Sequence, residues 1–204
     1  MPSDKISVIV FDLGNVLLPF DYKIAVNKLN EIEVGLGNKF INFYQNNYQL
    51  HRAFEKGKLS KNDFIDKMLN ALNYKITADE FCEIYSCVFT ENKEVIALLP
   101  KLKENYKLIL LSNTNSIHKE YGWKNYSFLK YFDKLILSHE ANAINPEKEI
   151  YKCVENFTKG LTFQHLFIDD VLEYVNAAKQ LGWDAIHFIG YEKLIKELIT
   201  KKII

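Results

Sequence analysis

The chain has 204 residues, 48% of them hydrophobic and 25% charged, enough to bury a substantial core as one domain or as one domain carrying a modest insertion. Its 26 basic residues balance 26 acidic ones, which gives no charge-based reason to expect a nucleic acid or an anionic membrane as partner. Three cysteines, Cys82, Cys87 and Cys153, are too few and too irregularly spaced for a disulfide framework or a zinc site.

No apolar run approaches the roughly 20 residues that cross a bilayer. The first such run, ISVIVF, is interrupted at Asp12, and no small-residue cleavage site follows. A soluble protein of the reducing cytoplasm is therefore expected.

That first run, residues 6 to 12, reads as a buried strand ending on a carboxylate and passing at once into the turn containing Gly14. Residues 19 to 90 then lack strand signals. YKIAVNKLNEI, NDFIDKMLNAL and ADEFCEIYSCVF instead place apolar residues three and four apart, as amphipathic helices do. Within this block, Gly57 reads as a helix stop and Ser60 as the N-cap of the next helix. Its aromatic residues, Phe40, Phe43, Tyr44, Tyr48, Phe54 and Phe64, are expected to pack helix on helix, with an apolar substrate cleft as a second use.

Strand-like runs resume at 107 to 112, 134 to 138, 165 to 169 and 184 to 189. Helix-length segments near 93 to 104, 115 to 130, 147 to 157 and 171 to 181 separate or precede them. This alternation predicts an α/β fold with a central parallel sheet flanked by helices. A wholly helical block between the first and second strands predicts an insertion at 19–90, with the α/β core formed by 1–18 and 91–204.

Three strand ends carry chemistry. Asp12 is a carboxylate able to attack phosphorus if cations and hydrogen-bond donors offset the charge; its structural alternative is to close the turn by binding backbone N–H groups. Asp169 and Asp170 end the fourth run, and adjacent carboxylates of this kind suit Mg²⁺. Capping of the next helix explains Asp170 at most, not both. Ser112 and Asn113 offer a hydroxyl and a backbone N–H at a strand-to-helix junction, a combination that holds phosphate oxygens. Ligands bind beyond the carboxyl ends of strands in open α/β sheets, so the three ends are expected to form one site.

FDLGNV, LLSNTN, NPEKEIY and LFIDDVLEYVNAAKQLGW, in this order, resemble the four motifs of the haloacid dehalogenase (HAD) superfamily over nearly the whole chain. Together with Glu55-x-Gly57-x-Leu59-Ser60, their spellings are most similar to the sugar-phosphate phosphatase branch, such as α-D-glucose-1-phosphate phosphatases. The resemblance implies a Rossmann-like core, a helical C1-type cap and Mg²⁺-dependent hydrolysis of a small phosphorylated metabolite. Asp12 would be the nucleophile forming an aspartyl-phosphate. Asp12, the Gly14 carbonyl and Asp170 would hold Mg²⁺, with Asp169 in or beside that shell. Ser112 and the Asn113 amide would bind the phosphoryl oxygens.

Four positions depart from the pattern or stand outside it. Gly14 occupies the place where many members carry a second aspartate as acid and base. Asn145 replaces the lysine that pairs with the nucleophile, and a neutral amide does not restore that charge. As a local structure, Asn145 reads as a helix N-cap with Pro146 at the first helical position, and Lys148, Lys152 and Lys119 are candidates to supply the missing ammonium. Tyr174 stands where the family often has asparagine. Arg52, the only arginine, lies in the helical block as a possible substrate contact and the one residue capable of bidentate phosphate clamping. A non-catalytic phosphate- or metal-binding protein is the alternative reading. Dehalogenation of 2-haloacids is a remote third, because that chemistry needs no aspartate pair.

Overall fold

The computed structural model describes residues 6–204; the first five residues of the expected core segment lie outside it. Strand β1 (Val8–Phe11) leads into five helices, α1 (Lys23–Ile32), α2 (Leu36–Asn46), α3 (Tyr48–Glu55), α4 (Lys61–Ala71) and α5 (Ala78–Ser86). Two short helices follow, α6 (Lys93–Ile96) and α7 (Leu99–Lys103), before β2 (Lys107–Ser112) and β3 (Lys134–Leu137). Then come α8 (Ser138–Ala141), α9 (Lys148–Thr158), β4 (His165–Asp169), α10 (Leu172–Gln180), β5 (Asp184–His187) and α11 (Tyr191–Thr200).

The five strands form one parallel sheet in the order β3-β2-β1-β4-β5. Strand side chains alternate between faces, and here both faces are covered. Ile9, Phe11, Leu108, Leu110, Leu166 and Ile168 pack on one side, whereas Val8, Val10, Ile109, Leu111 and Phe167 pack on the other. Burial on both faces is why these strands read as continuous apolar runs rather than alternating ones. Leu110 is fully buried at the centre of this sheet. Leu110→Ala is expected to lower unfolding free energy by about 2–5 kcal/mol, measured by urea denaturation.

The helices of residues 23 to 86 build a separate apolar cluster around Phe40, Phe54, Phe64, Phe81 and Tyr85. Phe54 and Phe64 stack with centroids 4.4 Å apart. Local signals set several helix ends. Ser60 accepts the Asp63 N–H at 3.1 Å, and Thr77 with Glu80 forms a reciprocal capping box.

Two expected helices differ. The segment 93–104 divides into α6 and α7, with Pro100 at the start of the second, where its missing N–H leaves no bond unmade. The segment 115–130 forms a wide π-type turn at His118–Trp123 and a 3₁₀ turn at Ser127–Tyr131. Gly122 lies against Phe89 in the first of these, where a Cβ would meet the ring at 3.0 Å.

Candidate active site

Strands β2, β1 and β4 are neighbours in the sheet, so their carboxyl ends deliver Ser112, Asp12 and Asp169 side by side. Register fixes the alignment: Phe11 pairs with Leu110 on one side and Ile168 on the other, and the Asp12 N–H donates to the Ile168 carbonyl at 2.9 Å. Asp12, Asp169 and Asp170 each present a carboxylate oxygen within 4.8 Å of the others.

This arrangement is electrostatically costly without a cation. Burial, then the charges of Asp169 and Asp170, push the Asp12 carboxyl well above its ordinary range, although hydrogen bonds from the Leu13 backbone and the Ser112 hydroxyl pull the other way. Asp169, fully buried, is pushed up to about 7 by desolvation and by Asp170, against the stabilising Val171 N–H. One Asp169 oxygen, Oδ1, accepts that N–H at 2.7 Å, while Oδ2 is buried with no hydrogen-bond partner among the described residues. Hard oxygen ligands at this spacing, one of them orphaned, fit a divalent cation such as Mg²⁺. The Gly14 carbonyl accepts the Val16 N–H at 2.6 Å and keeps a second lone pair.

Asp170 does not cap α10, whose N-terminus has no side-chain cap. Its carboxylate instead accepts from the Asn15 amide at 3.0 Å, and its carbonyl meets the His187 ring at 2.9 Å. A Cβ added to Gly14 would lie 3.6 Å from the Asp12 carboxylate and 3.3 Å from the Phe20 ring.

The expectation for Asn145 as a helix cap is corrected. Helix α9 begins at Lys148 with Glu147 before it, and Asn145 joins Pro146 through a cis peptide. The Asn145 side chain is fully buried, and both its polar atoms lack partners among the described residues. Its backbone is held by Asn113, whose Oδ1 accepts the Asn145 N–H at 2.7 Å and whose Nδ2 donates to the Asn145 carbonyl at 3.2 Å. Asn113 Nδ2 also donates to the Tyr174 hydroxyl at 3.3 Å. Tyr174 thus braces the side chain next to Ser112, a role its departure from the family spelling did not reveal.

From the helical side, Tyr22, Tyr44, Tyr48, His51 and Glu55 face Gly14, Ser112 and Asn113 across a cavity of about 130 Å³. Burial holds the Tyr22 and Tyr44 hydroxyls above their ordinary range, so they remain hydrogen-bond donors at neutral pH. His118 also lines the cavity; burial and the nearby His51 keep it neutral, stacked 4.2 Å from the Tyr85 ring. Of the aromatic residues expected to pack the helices, Phe40, Phe54 and Phe64 do so, whereas Tyr44 and Tyr48 face the cavity.

His51 and Glu55 were missed as candidates, although their four-residue spacing on one helix was legible. Glu55 accepts from His51 Nε2 at 3.1 Å and from Arg52 Nη1 at 3.1 Å. Burial raises the Glu55 carboxyl, but these two partners outweigh it and hold the group below its ordinary range, hence ionised. Arg52 also donates through Nη2 to the Asn145 carbonyl at 3.1 Å. At Gly57, φ is +69°, and a Cβ would fall 2.5 Å from the His139 carbonyl, so the loop after α3 lies directly against the core.

No protein-family model matches the chain. A D-ribitol-5-phosphate phosphatase of Bacteroides thetaiotaomicron is 26% identical over 186 residues, spanning 86% of this chain and 88% of that protein. The crystal structure of a HAD-family enzyme from the same organism, in complex with magnesium and inorganic phosphate, superposes with a TM-score of 0.79 at 26% identity, covering 93% of this chain and 98% of the other. L-2-haloacid dehalogenase of Xanthobacter autotrophicus shares the fold alone, with a TM-score of 0.63 at 21% identity over 98% of this chain and 84% of that one. The parallel sheet gathers Asp12, Ser112 and the Asp169–Asp170 pair at one edge, and in sequence and fold the chain is similar to hydrolases of the HAD family.

Proposed function

We propose that the protein is a Mg²⁺-dependent phosphomonoesterase acting on a small polyol or sugar phosphate, with residues 19–90 as a cap over a core of 1–18 and 91–204. The observation that carries this reading is the carboxylate triplet set beside Ser112 and beneath a hydroxyl- and aromatic-lined cavity. The relative that acts on D-ribitol 5-phosphate supports the substrate class.

Asp12, Asp169, Asp170 and the Gly14 carbonyl would hold the ion. Bound there, Mg²⁺ would offset the carboxylate repulsion and act as a Lewis acid toward the phosphoryl group. The Ser112 hydroxyl and the Asn113 N–H hold phosphoryl oxygens, as donors at a strand end do. An Asp12 oxygen attacks phosphorus, the P–O ester bond breaks, and the departing alkoxide takes a proton from water to leave as the alcohol. Water then hydrolyses the aspartyl-phosphate and regenerates Asp12.

The cavity sets the size and charge of the leaving group. Its 130 Å³ admits a short polyol, and tyrosine hydroxyls with aromatic faces suit alternating C–H and O–H surfaces. Ionised Glu55 opposes a second anionic group.

Phosphate release from a panel of pentitol, hexitol and sugar monophosphates, bisphosphates and phosphorylated acids, with Mg²⁺ or EDTA, tests the proposal. Monophosphates of uncharged polyols and sugars are expected to be preferred in kcat/KM by about tenfold or more, equivalent to roughly 1.4 kcal/mol or more. Hydrolysis that is indifferent to EDTA, or no hydrolysis of any phosphomonoester, would overturn it.

A further inference from the structure

We propose that Arg52 reaches across from the helical cap to bind the transferring phosphoryl group, supplying the positive charge that position 145 lacks. This rests on the phosphomonoesterase reading above.

Charge balance motivates the search for a cation. Three clustered carboxylates and a phosphate dianion carry more negative charge than one divalent ion neutralises. The lysines available near position 145 are engaged or placed elsewhere. Lys56 pairs with Glu147 at 2.5 Å and Lys119 with Glu140 at 2.5 Å. Lys148 and Lys152 border a depression shared with Thr162, at the end of the sheet where β4 begins.

Arg52 is a cation that bonds directly to the backbone of position 145, and its position is defined by two bonds. Nη1 is held by Glu55, which lines the same cavity as Ser112 and Asn113. Nη2 donates to the Asn145 carbonyl, the atom that also accepts from Asn113 Nδ2. Arg52 and the side chain beside the phosphate-binding hydroxyl therefore converge on one oxygen. A guanidinium has five N–H donors, and three of those on Arg52 have no partner among the described residues. The side chain is 24% exposed. Paired N–H groups in a planar fork match phosphate oxygens. Glu55, itself bonded to His51, fixes the fork rather than neutralising every donor.

Isothermal titration of inorganic phosphate into the Mg²⁺-saturated protein tests this, alongside kcat/KM. Arg52→Gln is expected to weaken phosphate binding by about tenfold or more and lower kcat/KM by about 10² to 10³. Adding Asn145→Lys to Arg52→Gln should recover at least about tenfold of that binding, because a lysine at 145 restores the charge from the core side. Lys56→Gln, which removes only the neighbouring ion pair between cap and core, should leave phosphate affinity unchanged.

Wild-type affinity in Arg52→Gln, an equal loss in Lys56→Gln, or no recovery in a folded double variant would each overturn the role of Arg52. Failure of the wild-type protein to bind phosphate with Mg²⁺ would overturn the underlying reading of the site as well. Binding by wild type with no effect of Arg52→Gln would overturn this inference alone.

Discussion

Asp12→Asn should reduce phosphate release by roughly 10⁴ to 10⁶, the scale seen when a nucleophile is removed, while leaving a folded protein. The amide keeps the size of the carboxyl but cannot form the acyl phosphate. It also removes one of three crowded negative charges, so the metal-free variant should unfold at a higher temperature than metal-free wild type. The two effects have opposite signs and one cause: burial and the charges of Asp169 and Asp170 press against ionised Asp12. Calorimetry in EDTA and a phosphate-release assay in Mg²⁺ measure them. Turnover within about tenfold of wild type would exclude Asp12 as nucleophile.

Stripping the metal should make stability depend on pH through the same carboxylates. Asp169 titrates at about 7 in the metal-free fold against an ordinary 3.8, and Asp12 is also raised. A carboxyl with a raised folded value favours the fold fully below its unfolded value and loses that contribution as pH rises through the folded one. Between roughly pH 4 and 7 the metal-free protein therefore forfeits on the order of a few kcal/mol at this cluster. Mg²⁺ should restore it, by about 3–4 kcal/mol when the ion is at 100 to 1,000 times its Kd.

His118, His139 and His165 are depressed chiefly by burial, so they oppose the carboxylate trend on acidification. The quantity to read is accordingly the difference between Mg²⁺ and EDTA, which should shrink from pH 8 to pH 5. Mg²⁺ binding near pH 7 should also release protons, visible as a buffer-dependent binding enthalpy. A difference independent of pH would show that these carboxylates do not hold the ion.

Much of the core was legible because its strands are buried on both faces. A run such as VIVF or LFI has to be apolar throughout, and a polar residue then marks where the strand leaves the sheet. Asp12, Ser112 and Asp169 stood out for that reason. Their proximity was legible only through fold class, since nothing in the linear order states that β2, β1 and β4 are adjacent.

Local reasoning failed at Asn145. Asparagine, proline and two glutamates are helix-start residues, yet the Asn113 side chain captures the Asn145 backbone, and α9 starts later. A long-range pair of hydrogen bonds overrode a local preference. The same limit hid His51 and Glu55. Their spacing placed them on one helical face, but a surface ion pair has that spacing too, and only packing decided that the face meets the cavity.

The sequence by itself determined the strands, the run of helices after the first of them and the aspartates at the strand ends, because strand burial and helix amphipathicity are written in residue order; the absent lysine at position 145 was legible only through the resemblance. Tertiary structure decided which groups share a site: it brought Arg52 to the Asn145 carbonyl across 93 residues of chain and turned Tyr44, His51 and Glu55 toward Ser112. The physical reason is that charge and hydrogen bonding act over a few ångströms of space, whatever the separation along the chain.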